Sequence, residues 1–157
     1  MKKFLKETVP YLVIILVVIL IRLFIVTPVR VDGASMNPTL NNSQILLLNK
    51  MNKNYKRFDV VVFNHNGNKL VKRIIGLPGE KVTYSNNKLY INDRLVKENY
   101  TRKDTDDFIS DTVPSNMYFV LGDNRSNSLD SRYIGFIDKN DIEGIVHFSI
   151  IPPKKIK

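Results

Sequence analysis

Residues 60–75 read Val60-Val61-Val62-Phe63-Asn64-His65-Asn66-Gly67-Asn68-Lys69-Leu70-Val71-Lys72-Arg73-Ile74-Ile75. A β-branched apolar run meets a segment of turn residues, and a second apolar run returns from it. That pattern predicts a β-hairpin. Lys72 and Arg73 interrupt the returning run. Neighbouring side chains of a strand point to opposite faces, so one of these cations should turn towards the side its neighbours bury. The alternative is an edge strand with both side chains reaching outward. A buried lysine is expensive, and a fold tolerates one where a neutral amine is needed to take a proton.

Outward from this hairpin the same alternation of short apolar runs and turn signals continues. Gly76-Leu77-Pro78-Gly79 stops the second strand, and residues 82–85 and 89–91 flank Asn86-Asn87 as another hairpin. Residues 117–121 and 145–151 read as further strands, and on the N-terminal side so do residues 28–32 and 45–48. Residues 100–115, with Asp104, Asp106, Asp107 and Asp111, read as an exposed polar loop. The Pro152-Pro153-Lys154-Lys155 tail carries no structural signal. Strands this short and closely spaced predict a mostly β fold, a sandwich or partly open barrel.

Residues 9–26 form an apolar run long enough, with its flanks, to cross a bilayer core. Arg22 lies near its end, where its charge can reach the headgroups. Lys2, Lys3 and Lys6 precede the run, which places the N-terminus in the cytoplasm and the chain after Thr27 outside. No small-residue cleavage site follows, since Pro28-Val29-Arg30-Val31-Asp32 is bulky and charged. The expected organisation is therefore a cytoplasmic stub and transmembrane anchor over 1–27 and a β-rich extracytoplasmic domain over 28–157. The 157-residue chain has no cysteine, which excludes disulfides and thiol nucleophiles. Its net charge of +9 is scattered rather than clustered, which favours an anionic membrane surface over nucleic acid as a partner and serves equally to keep the surface soluble.

Shortly after the apolar run comes Gly33-Ala34-Ser35-Met36-Asn37-Pro38-Thr39-Leu40. Ser35 sits between small residues and a proline-stiffened turn, a setting that suits an exposed nucleophile and equally an ordinary turn. Gly122-Asp123-Asn124-Arg125-Ser126-Asn127-Ser128-Leu129-Asp130-Ser131-Arg132 directly follows an apolar strand. Its hydroxyls could orient an amine, and Asp130 with Arg132 could pin the loop. His65 and His147 lack a serine and carboxylate context for a triad, and they lack ligand-spaced companions for a metal.

Taken in order, residues 35–40, the Asp59-Val60-Val61-Val62-Phe63 strand, residues 72–80 and residues 122–132 resemble the bacterial type I signal peptidases, in the compact form typical of Gram-positive bacteria. The resemblance covers almost the whole chain. It implies a membrane-anchored serine endopeptidase of mostly β fold that removes signal peptides from exported preproteins carrying Ala-x-Ala-like sites, without metal or organic cofactor. It makes Ser35 the nucleophile and Lys72 its general base. Ser128 would orient the Lys72 amine, and Asp123, Arg73, Asp130 and Arg132 would organise the site. The backbone N–H groups of Ser35 and Gly33 would form the oxyanion hole, and Met36 would contact substrate, which similar enzymes bind as an extended strand along a sheet edge. Three departures stand out. Gly33 replaces a serine found in some members, Ser43-Gln44 replaces a Gly-Asp pair, and Phe58 stands where a glycine often precedes Asp59. The resemblance leaves room for a Ser-Lys processing peptidase of specialised substrate, and for a non-catalytic tethered module that binds signal peptides.

Overall fold

The computed structural model describes residues 2–101 and 105–156, with the side chains of all of these except 2–6, 23 and 24. Helix α1 (Lys2–Phe24) leads directly into strand β1 (Val26–Arg30). The apolar run was expected to reach Val26 in one piece, but Val26 already pairs with Asn49 and Thr27 with Leu48. A strand partner there takes over the backbone groups that a longer helix would satisfy internally. The apolar side chains of residues 11–21 are exposed along α1. Among the described residues, no helix is long and apolar enough to cross a membrane.

The remaining elements are β2 (Ile45–Asn49), β3 (Val60–His65), β4 (Asn68–Gly76), β5 (Lys81–Ser85), β6 (Lys88–Ile91), β7 (Arg94–Val96), β8 (Phe108–Thr112), β9 (Met117–Leu121), α2 (Ser131–Ile134), β10 (Ile137–Asp138), β11 (Ile142–Ile151) and β12 (Lys154–Lys155). They form a large sheet in the order β1-β2-β11-β3-β4-β9-β10, with β12 also on β11, and a small sheet β7-β6-β5-β8. Both expected hairpins are present. Asn66 and Gly67 close the first and Asn86 and Asn87 the second, all with the positive φ that tight two-residue hairpin loops require.

Both faces of the large sheet are covered, which is why residues 60–63 form an unbroken apolar run rather than alternating. Val60 and Val62 join Met36, Leu40, Leu46 and Leu48 in one cluster, while Val61 and Phe63 join Ile74, Val120 and Ile145 in another. A third cluster, around Ile75, Val82, Tyr84 and Phe119, seats the small sheet on the large one. Gly76 is where β4 leaves for β5. A Cβ there would stand 2.6 Å from Val82 Cγ2, so only glycine lets the two sheets close.

Two expectations are corrected. Residues 108–112, read as polar loop, are β8 paired to β5, because Phe108 stacks between Tyr84 and Phe119 at 5.9 and 5.7 Å. Acidic neighbours masked this aromatic anchor. Asp107 fastens the β5–β6 turn, its carboxylate accepting from Asn86 N–H at 2.9 Å and from Ser85 Oγ at 3.2 Å, whereas Asp104 lies outside the described residues. The C-terminal tail is not featureless either: β12 pairs with β11, Ile156 is buried, and its N–H bonds to His147 O at 2.8 Å.

Candidate active site

Strand β4 lies between β3 and β9, which excludes the edge arrangement for Lys72 and Arg73. Both cations are buried, at 3% and 0% exposure, although the alternation of the strand called for one. They reach different partners. Lys72 Nζ donates to Ser35 Oγ at 2.8 Å and to Val71 O at 3.0 Å. Its pKa is lowered to about 8: burial disfavours the charged amine, while Asp130 and Asp123 oppose that by favouring it. Burial prevails, so the amine is partly neutral near physiological pH.

Arg73 grips Asp123 with two parallel bonds, Nε to Oδ1 at 2.9 Å and Nη2 to Oδ2 at 2.7 Å. Its Nη1 donates to Phe58 O at 2.8 Å and its Nη2 to Thr39 Oγ1 at 3.3 Å, while Thr39 Oγ1 also donates to Asp123 Oδ2. The guanidinium lies 4.1 Å from the Tyr100 ring centroid. This ion pair thus ties the turn carrying Ser35, through Thr39, to the loop after β9.

That loop is itself heavily pinned. Asp130 caps α2, accepts Gly122 N–H at 3.0 Å, and holds Arg132 through Nε at 2.8 Å and Nη2 at 2.9 Å. Ser131 Oγ accepts Val120 N–H at 2.9 Å. Asn124, which the sequence reading did not single out, clamps the nucleophile turn: its N–H donates to Ser35 O at 2.9 Å and its Nδ2 to Ala34 O at 3.1 Å. A Cβ on Gly122 would stand 2.1 Å from Ser128 Oγ and 2.6 Å from Ser35 O. Gly122→Ala should therefore destabilise the chain by about 1–3 kcal/mol and displace Ser35, which a thermal melt with a cleavage assay checks.

For several of the expected residues the structure shows other contacts. Ser128 makes no hydrogen bond to Lys72; its Oγ is buried and without a partner among the described residues, packed over Gly122 instead. Met36, expected at the substrate, is 1% exposed and packs with Leu40 and Leu46 beneath the turn, so its side chain faces the core. Gly33 has φ +91°, and its N–H already donates to Asn42 Oδ1 at 3.0 Å, so that group is engaged rather than free for an oxyanion. Among the described residues no backbone acceptor takes the Ser35 N–H. His65 contacts Asn66 and His147 is exposed on β11, so neither joins the site.

The three departures from the resemblance share one backbone feature, a positive φ. Phe58 and Ser43 both adopt positive φ, 72° and 67°, where a glycine costs nothing in sterics. Each non-glycine residue here is compensated. The Phe58 ring packs edge-on against Tyr100 at 5.5 Å, and Ser43 Oγ accepts from Arg30 at 3.0 Å. Gln44 Oε1 takes Asn41 N–H at 3.1 Å, closing the turn after Leu40. Gly33 also sits at positive φ, and a Cβ there would meet nothing within 4 Å, so what disfavours a side chain there is backbone conformation rather than space.

Residues 3–151 match the family model for signal peptidase, peptidase S26. The chain belongs to that family. It is 43% identical to signal peptidase I S of Bacillus subtilis (strain 168), across 96% of this chain and 91% of that protein. It is 39% identical to a signal peptidase I of Bacillus caldolyticus, across 93% and 91%. The crystal structure of a signal peptidase I from Enterococcus faecalis V583 aligns with a TM-score of 0.55 at 42% identity, covering 59% of this chain and 96% of that one. As a member of this peptidase family the protein is a serine endopeptidase.

Proposed function

We propose that this peptidase removes N-terminal signal peptides from exported preproteins with Ala-x-Ala-like sites, using Ser35 as nucleophile and Lys72 as general base. The 2.8 Å contact between a buried amine and a half-buried serine hydroxyl carries the reading. As Ser35 Oγ bonds to the scissile carbonyl carbon, its proton passes to neutral Lys72. The resulting ammonium then gives a proton to the leaving amine, which departs as the N-terminus of the mature chain. Water attacks the acyl-enzyme with Lys72 as base again, restoring Ser35. The Ser35 N–H would hold the tetrahedral oxyanion. Gly33 N–H could join it once Asn42 Oδ1 lets go.

Helix α1, whose side chains are described over residues 7–22 only, serves in this reading as a single-pass anchor with a cytoplasmic N-terminus, and the domain from residue 28 works outside. Support comes from the exposed apolar side chains of residues 11–21 and the lysines at the N-terminus. From Val26 to Ser35 the chain spans at most ~30 Å at ~3.3 Å per residue, so the dyad would sit near the membrane face. Retention of the chain in washed membranes, with protease added outside intact cells digesting the domain, tests this. Recovery in the soluble fraction would refute the anchor.

Cleavage of a preprotein with an Ala-x-Ala site by the detergent-solubilised chain tests the activity. A cut after the second alanine is the expected result, and saturable binding without a cut would point to a tethered binding module. With Lys72 at about 8, the neutral fraction and with it kcat should rise about 50-fold between pH 6 and pH 8. A flat profile in single-turnover measurements would remove lysine as the base.

A further inference from the structure

Behind the site lies a carboxylate that the mechanism does not use. Glu98 follows β7 on the small sheet, and its side chain is 6% exposed. Its Oε1 accepts from Arg125 Nη2 and from Tyr100 OH, the latter at 2.7 Å. Its Oε2 accepts from Tyr84 OH at 3.0 Å and from Arg125 Nη1 at 3.4 Å. Two routes run from it to the dyad. Through the fully buried Arg125, whose Nε donates to Gly122 O at 3.0 Å, it holds the glycine on which Ser35 O and Ser128 rest. Through Tyr100, whose ring lies against Arg73, it braces the Arg73–Asp123 pair that bonds Thr39. A charge of each sign is buried here, and among the described residues neither Glu98 nor Arg125 hydrogen-bonds to the side chain of Ser35 or Lys72. A buried pair of this kind is weak as a source of stability but directional as a clamp.

We infer that Glu98 is a positioning residue for the Ser35–Lys72 dyad, setting the placement of Gly122 and Asp123 from the small sheet through Arg125 and Tyr100. The inference rests on the proposed dyad. With the carboxylate in place the loop after β9 is held against the nucleophile turn and keeps the Lys72 amine dry. Without it the loop relaxes, Ser35 and Lys72 lose their alignment, and water reaches the amine. The charges acting on Lys72 are those of Asp130 and Asp123, so losing the charge of Glu98 moves the Lys72 titration through geometry.

The test uses the full chain in detergent with a preprotein substrate, comparing wild type, Glu98→Gln, Tyr100→Phe and Ser35→Ala. Thermal unfolding gives the folded fraction of each at the assay temperature. For Glu98→Gln, kcat per folded enzyme should fall about 10–100-fold with KM within about twofold, as expected for misplaced reacting groups. The midpoint of its pH profile should move from about 8 towards the ordinary lysine range. Tyr100→Phe keeps the ring against Arg73 and removes one bond to the carboxylate; it should shift both readouts the same way by less, and it serves alone if Glu98→Gln does not fold. A kcat that falls only with the folded fraction, or a midpoint still near the wild-type value, overturns the inference. An active Ser35→Ala enzyme would instead overturn the dyad itself, whatever Glu98 does.

Discussion

Replacing Lys72 by arginine is expected to abolish cleavage, with a fall in kcat on the order of 10⁴–10⁶-fold, as for other nucleophile–base units. The guanidinium stays protonated at every accessible pH and cannot accept the Ser35 proton. Ser35→Ala should fall as far, and the double variant no further, because the two groups act in one step. Removing the Lys72 amine should change stability as well. In the native state Lys72 titrates near 8 against an ordinary 10.5, so between those values the unfolded chain binds a proton that the folded chain has released. Stability therefore rises with pH across that window and is lowest below it. The full difference is about 3–4 kcal/mol, at about 1.4 kcal/mol for each pH unit between about 8 and 10.5. Lys72→Met, which keeps the buried chain and removes the amine, should be inactive yet more stable than wild type at pH 7. Its advantage should shrink as pH approaches 10. Urea titrations of both proteins at several pH values measure this; parallel curves would mean that Lys72 is not destabilised by burial.

The largest stability effect is expected at Asp123. Both partners of the Arg73–Asp123 pair are buried to 1% exposure or less, and Asp123→Ala would leave the Arg73 guanidinium charged in the core without its carboxylate, with Thr39 Oγ1 and Phe58 O still among its acceptors. Removing one member of a buried pair costs about 3–5 kcal/mol, so Asp123→Ala should melt many degrees below wild type. Asp123→Asn retains one acceptor oxygen and should lie between. In the double variant Arg73→Met with Asp123→Leu neither charge of this pair is left in the core, so stability should recover much of the loss while activity does not, since Thr39 is no longer tied to the loop. A stable double variant with full activity would show that the pair has no part in placing the nucleophile turn.

The strands of the large sheet were legible wherever an apolar run met a turn signal. Residues 60–63 and 70–75 with Asn66-Gly67 between them are β3 and β4 with a two-residue positive-φ loop, because such loops leave a local chemical mark. Five other elements were not legible. β7, β10, β12 and α2 are too short to show a period, and β8 depends on Phe108 meeting Tyr84 and Phe119 from other parts of the chain. In the site, residue types were readable and partners were not. The hydroxyl of Ser128 looked suited to orient an amine, yet it packs on Gly122, and Gly33 N–H is claimed by Asn42, a residue without any motif.

By itself the sequence determined which atoms are available: no thiol, a serine in a stiffened turn, and two cations in an apolar strand that must be buried or reach outward. It also marked the mostly β class, since turn chemistry and short apolar runs act over a few residues. Only the tertiary structure decided that both cations are buried, that Lys72 meets Ser35 at 2.8 Å while Arg73 meets Asp123, and that Glu98 reaches the same loop from the other sheet. Those contacts join residues tens of positions apart. Their geometry and the lowered lysine pKa arise from packing and desolvation, which no local stretch of chain encodes.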